Sequence, residues 1–313
     1  MLCKDIIKIL EKQSPESYAL EWDNVGLLIG DCNKEIRTIY IALDATDEVI
    51  RQAKEHKADL LLTHHPLIFK GLKKINTDDF IGRRIITLIQ SDIAYYAMHT
   101  NFDVLGMAEL SAQKLNLTET KVLSVTCVRD LKAEQAEGIG GLGKLSESVS
   151  LKDYAKNEQE EGIGRVGKLS ESVSLKDYAK NEQEEGIGRV GKLSEQMSLK
   201  DCVGQVKAAF SLAQVQVYGE LTQKVHTLAI SPGSGKSAIE AALQAKADVL
   251  VTGDVDHHMG IDAIAQGLAV IDGGHYGVEK IFIPYMKQFL EEQTKGEGIT
   301  VFGQAFEEPF VYC

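Results

Sequence analysis

The chain has 313 residues, 44% of them apolar and 26% charged, the balance of an ordinary globular protein with room for two domains. Its formal net charge of -12 disfavours sequence-independent binding to nucleic acid, whose phosphates it would repel. Five cysteines, at positions 3, 32, 127, 202 and 313 with no C-x-x-C pair, argue against a disulfide framework or zinc knuckle and fit free thiols in a reducing cytoplasm.

Apolar residues at helical spacing predict a first helix over Cys3 to Glu11. The N-terminal stretch is too interrupted by Lys and Glu for a signal peptide, and nothing later is long enough to span a bilayer. Next come a strand over Thr38 to Leu43, a helix over Asp47 to Glu55 and a buried strand ending at Thr63. A helix over Asp79 to Gln90 and strands over Ile93 to Met98 and Lys121 to Thr126 complete the first half. Then Lys144 to Gly167 recurs without a change as Lys168 to Gly191, a period of 24 residues. Such identity points to a recent tandem duplication, so surplus material within Ser146 to Gly191 is expected to loop out at the surface. The second half reads as a helix over Leu199 to Phe210, strands over Gln214 to Tyr218 and Val225 to Ile230, and a helix over Ser237 to Ala245. Strands at Val249 to Thr252 and Leu268 to Ile271 follow, then a long helix over Val278 to Gln293.

A second, fainter repeat relates the halves. Lys57-Ala-Asp-Leu-Leu-Leu-Thr63 matches Lys246-Ala-Asp-Val-Leu-Val-Thr252, each after a helix and each followed by histidines, His64-His65 and His257-His258. Alternating helix and buried strand predicts an α/β fold of two related domains, with mixed, mainly parallel sheets flanked by helices. The boundaries are drawn at 1–127 for the first half, 128–196 for the linker with the duplication, and 197–297 for the second half. A C-terminal strand within 298–313 is a candidate to complete the first half.

Ligands of such sheets gather beyond the carboxyl ends of the strands, and the polar clusters fall there. His64-His65-Pro66 leaves a buried strand, where adjacent side chains are expected on opposite sides, each able to serve a different ion. His99 and Asp103 follow the next strand. His275 and Glu279, four apart after Asp272-Gly-Gly, share one helix face. Against these stand plainer readings: core histidines, an Asp N-cap, a surface His–Glu pair. Together, three imidazoles and two carboxylates suit Zn, Mn, Fe or Ni, and five donors are about right for two divalent ions sharing a bridging carboxylate. Ser231-Pro-Gly-Ser-Gly-Lys236-Ser237 ends like a phosphate-binding loop, but position 230 is Ile where that motif needs Gly. It reads as a glycine-rich turn able to hold an anion.

These stretches resemble the GTP cyclohydrolase I type 2 homologues, also called Nif-three-like dinuclear metal proteins. The resemblance rests on Glu21-Trp-Asp-Asn-Val-Gly-Leu27, Thr63-His-His-Pro66, His99-Thr-Asn-Phe-Asp103 and the Gly-Arg-Val-Gly stretch. It continues through Gly233-Ser-Gly235, Thr252-Gly-Asp254 with His258, and Gly274-His-Tyr276 with Glu279. It implies a Nif-three-like fold, a toroidal homohexamer, and two divalent ions held by His64, His65, Asp103, His275 and Glu279, with Glu279 bridging. His99 and His258 are then candidates for proton transfer, and Trp22, Asn24, Gly233, Ser234 and Gly235 for substrate contact. The expected function is metal-dependent hydrolysis of a small nucleotide-like or phosphorylated substrate, with a non-catalytic metal-binding scaffold or regulator as the alternative.

Overall fold

Short, uninterrupted apolar runs become the central strands, because a parallel strand is buried on both faces. In the first sheet β2 (Thr38–Ala42), β3 (Leu60–Thr63) and β4 (Ala94–Ala97) run parallel. The antiparallel β1 (Gly26–Ile29) lies outside β4, and the parallel β11 (Thr300–Gly303) lies outside β2. The second sheet has the order β5 (Thr118–Asp130), β6 (Glu182–Ser198), β8 (Lys224–Ser234), β9 (Val249–Gly253), β10 (Ala269–Asp272), β7 (Gln216–Tyr218). Here β8, β9 and β10 are parallel, while β6 and β7 run antiparallel to their neighbours β8 and β10. The computed structural model describes residues 1–130 and 182–305. Residues 1–124 with 186–313 form one unit, to which everything below refers, and residues 125–185 a second.

The period-2 alternation of strand side chains sorts residues into three apolar layers. Ile39, Ile41, Leu60, Leu62 and Tyr96 of the first sheet share a central core with Leu228, Val249, Val251 and Ile271 of the second. That core is filled by helices α1 (Cys3–Gln13), α6 (Leu199–Phe210) and α10 (Phe282–Gln293) through Ile6, Leu10, Val206, Phe210, Phe282 and Met286. The opposite faces carry Tyr40, Leu61 and Tyr95 against α2 (Asp47–Glu55) and α3 (Phe80–Gln90), and Ala229, Leu250 and Val270 against α7 (Ala238–Gln244) and α8 (His257–Ala265).

The faint repeat has a structural counterpart. Lys57 and Lys246 both take left-handed backbone conformations, with φ of 54° and 55°. Asp59 then accepts from the amides of Arg37 and Thr38, and Asp248 from those of His226 and Thr227. Each Asp thus ties the start of the neighbouring strand to its own.

Two predicted elements differ. The helix expected over Val278 to Gln293 is two helices, α9 (His275–Glu279) and α10, parted at Lys280 and Ile281. Pro284 lacks the amide that a continuous helix would need to reach Lys280 O, and in the first turn of α10 no such bond is required. The strand expected to end at Ile230 runs on to Ser234, with a register break against β9 between Ile230 and Ser234. Residues 146–181 of the segment expected to loop out lie outside the described residues; the second copy's end, from Glu182, is β6. The span read as linker, 128–196, therefore includes most of a strand of the second sheet.

Candidate metal centre

The site is assembled where β3, β4, β8, β9 and β10 end. His64 and His65 follow β3 directly. Their turn is clasped by the hydroxyls of Thr63 and Tyr95, which reach His65 O at 2.8 and 2.9 Å. The expectation that these rings point to opposite sides is corrected: their centroids are 4.9 Å apart and both Nε2 atoms face Glu279. Strand alternation stops at Thr63, and the chain bends at His64 and His65. Asp103 opens a π-helical turn, Asp103–Met107, between α4 (Thr100–Phe102) and α5 (Ala108–Lys114), a widening often found at functional positions. His275 and Glu279 begin and end α9, whose N-cap Gly274 has φ 74°. A side chain at Gly253 would collide with His275 N at 2.6 Å, so only glycine lets this helix start so close to β9.

Each imidazole is held from behind through Nδ1. His64 pairs with Met98 O at 2.7 Å, His65 with Asp44 at 2.9 Å, His99 with Asp23 at 2.9 Å and His275 with Asp254 at 2.7 Å. A carbonyl or carboxylate oxygen can only accept, so the proton sits on Nδ1 of each neutral ring and Nε2 presents a lone pair to the cluster. His65 Nε2 and His275 Nε2 then face each other at 3.3 Å, an arrangement that calls for a cation or a proton between them. Glu279 lies between two groups. Its Oε2 is 2.9 Å from His65 Nε2 and 3.2 Å from His275 Nε2, and its Oε1 is 3.7 Å from His64 Nε2, which is 3.4 Å from Asp103. Among the described residues, the buried atoms His64 Nε2, Asp103 Oδ1 and Glu279 Oε2 have no hydrogen-bond partner. Orphaned polar atoms in a dry site are costly, and three in one cluster fit a place built for an ion. The triads His65–His275–Glu279 and His64–Asp103–Glu279, and also His64–His65–His99, have the composition and closeness to hold a metal.

The charges of the cluster point the same way. Burial pushes the Glu279 carboxyl up, but the imidazoles of His65, His275 and His64 reverse this and hold it well below the usual carboxylate range. Glu279 holds His275 up, to about 9, with Asp254 adding to the effect. Burial opposes charge on His64, yet Asp103 and Glu279 overcome it and raise its imidazole. Without metal the cluster therefore keeps protons that a divalent ion would displace. Asp23 is a further anion. Burial alone would raise it, but donors from His99 and Thr100 bring it down to about 2. A depressed carboxyl stabilises the fold fully above its unfolded value of about 4 and loses that contribution as pH falls through its folded value. The stability gap between the native chain and Asp23→Asn should therefore narrow between pH ~4 and ~2. Paired chemical denaturation curves at several pH values would show it, and a gap independent of pH would exclude a charged role for Asp23.

The cluster lies in a cavity of about 1350 Å³. Of the residues singled out from sequence, the structure brings together His64, His65, His99, Asp103, His275 and Glu279, with Trp22, Gly233 and Ser234 on the cavity wall. Four others stand apart from that wall. Asn24 donates to Ile68 O at 2.6 Å, Gly235 is buried against Thr252, Lys236 is exposed, and His258 lies exposed at the start of α8 beside His257. The position after Thr252 that corresponds to His64 is Gly253, so the histidine match between the halves does not carry through. The Nδ1 partner Asp44 carried no sequence signal, while Asp23 and Asp254 sat inside recognised stretches without a role.

The comparisons with known proteins agree with this architecture. The family described as Duf34/NIF3 (NGG1p interacting factor 3) matches residues 1–308. A GTP cyclohydrolase 1 type 2 homolog of Bacillus subtilis is 35% identical over 366 aligned positions, covering 99% of this chain and 98% of the relative. One from Clostridium perfringens is 30% identical, with 100% of both chains covered. The crystal structure of a Bacillus cereus protein related to NIF3 superposes with a TM-score of 0.80 at 28% identity, covering 100% of this chain and 99% of that one. Full-length agreement in sequence and in fold supports one conclusion: the chain belongs to the Duf34/NIF3 family.

Proposed function

We propose that the chain binds two divalent metal ions, one at His64–Asp103–Glu279 and one at His65–His275–Glu279, and uses them to hydrolyse a small phosphorylated or nucleotide-like substrate. The observation that carries this reading is Glu279, whose Oε1 faces the orphaned His64 Nε2 beside Asp103 Oδ1 and whose own orphaned Oε2 faces His65 and His275. Bound there, the ions would supply Lewis acidity to a substrate oxygen and lower the pKa of water. The protein's own contribution is placement. Asp44, Asp254 and Met98 O fix the imidazole tautomers. His99, oriented by Asp23, keeps a free Nε2 with which to take or give a proton at the cavity wall.

Charge supports an anionic substrate. The cavity is lined by five carboxylates (Asp44, Asp103, Asp254, Asp272, Glu279) and two cationic side chains (Lys70, Arg84). Those groups alone sum to a formal -3, which the protons kept by the metal-free imidazoles partly offset and two divalent ions would turn to +1, so anions should bind more tightly with metal than without. The toroidal hexamer implied by the resemblance and the cytoplasmic location read from the scattered cysteines belong to the same proposal. Among the described residues no helix is long and apolar enough to cross a membrane.

The test is a hydrolysis screen of metal-loaded protein against nucleotides and phosphoesters, run beside His65→Ala. Turnover that disappears in the variant is the expected result. Equal turnover in both would assign the activity to a contaminant, and full metal content without turnover would favour a non-catalytic metal-binding protein.

A further inference from the structure

The lining of the cavity includes the Ser231–Ser234 segment and an apolar set, Leu20, Trp22, Phe69, Leu72 and Ile81. Two aromatic residues dominate that set and are left open, Trp22 at 60% exposure and Phe69 at 46%. Their rings are nearly parallel, 13° apart with centroids at 6.3 Å. Both meet the His99 ring edge-on, at 5.8 and 5.5 Å, and His99 in turn lies 5.3 Å from His64 and 5.6 Å from His65. One imidazole thus separates the aromatic wall from the metal cluster.

The same short segments build both features. Trp22 precedes Asp23, which orients His99, and Phe69 follows the His64–Pro66 turn. The Phe69 loop is fixed by Leu67 N donating to the Tyr95 hydroxyl at 2.8 Å and by Asn24 Nδ2 donating to Ile68 O at 2.6 Å. Asn24 thus anchors the residue before Phe69. A wall of prearranged, parallel, solvent-facing rings favours a flat π-surface over a flexible aliphatic chain, because stacking needs matched planes and little further ordering.

From this arrangement we infer that Trp22 and Phe69 form a stacking subsite for a planar heteroaromatic ring of the substrate, whose anionic part reaches the metal cluster past His99. The inference rests on the proposed function for what happens at the cluster, and is read independently of it. Trp22 is the sole tryptophan of the chain, so intrinsic fluorescence reports on this wall directly. Zinc-loaded protein is titrated with GMP, AMP and UMP, and with ribose 5-phosphate as the ringless control. At least one nucleotide should quench Trp22, and Phe69→Ala should weaken its binding about tenfold. Phe69→Leu should behave like alanine, Trp22→Phe should retain affinity by calorimetry, and ribose 5-phosphate should be indifferent to each change. Quenching by none of the nucleotides up to about 1 mM, equal affinity in Phe69→Ala, or a variant altered only in its self-association would overturn the subsite. Zinc content and turnover are measured separately. Quenching without hydrolysis would retain the subsite and remove the hydrolase reading, whereas ring-independent hydrolysis would do the reverse.

Discussion

Replacing Glu279 with alanine should strip both ions from the centre at once, whereas His275→Ala should leave one in place. Glu279 is the only residue common to the two triads that share it, with Oε2 between His65 and His275 and Oε1 toward His64. His64, Asp103 and Glu279 do not involve His275. Metal content by elemental analysis should thus fall from two ions to none in the first variant and to one in the second. Glu279 is also the buried counter-charge of three imidazoles, so its removal should destabilise even the metal-free protein, by about 3 kcal/mol as when a buried ion pair loses one partner. Glu279→Gln keeps the shape and separates the two effects. It should lose metal as the alanine variant does, with a smaller loss of stability. Equal metal loss in Glu279→Ala and His275→Ala would mean that the ions are not bound independently around a shared carboxylate.

Gly233→Ala should damage the centre although residue 233 offers no ligand. Gly233 has φ 82°, and a Cβ there would lie 2.7 Å from Glu279 Oε1 and 4.0 Å from His275 Nε2. Backbone strain alone would cost about 1–2 kcal/mol. The carboxylate it would strike is packed among imidazoles and cannot swing away freely. Gly267 provides the control, with φ 86° and open space around it. Both substitutions should lower the thermal midpoint by a similar amount. Only Gly233→Ala should weaken metal binding, by about 10- to 100-fold, the range seen when groups supporting metal ligands are disturbed. Calorimetric titration with Mn²⁺ would show the difference, and equal affinities in the two variants would remove Gly233 from the site.

The fold was legible where burial writes itself into sequence. Leu60–Thr63, Ile93–Met98 and Val249–Thr252 are apolar because parallel strands are covered on both faces, and the seven-residue match ending at Thr63 and Thr252 related β3 to β9. The convergence of His64, His65, Asp103, His275 and Glu279 was legible because all five come after strands whose ends meet in the fold. Less visible were features set by tertiary contact. β1 is a short edge strand whose partner is remote in sequence, and the break before α10 depends on a proline that local periodicity passes over. Asp44 follows β2 two residues on and looks like any loop acid; only the approach of His65 from β3 gives it a role. His258, which the resemblance places close to the cluster, lies exposed at the start of α8. The residue after Thr252 is Gly253, and the space a side chain would fill there belongs to the start of α9.

The shared-carboxylate centre is tested most directly by anomalous diffraction from crystals grown with Mn²⁺ or Zn²⁺. Two peaks are expected within one subunit, one bonded by His64, Asp103 and Glu279 and the other by His65, His275 and Glu279. A single ion, or ions bound away from Glu279, would contradict it.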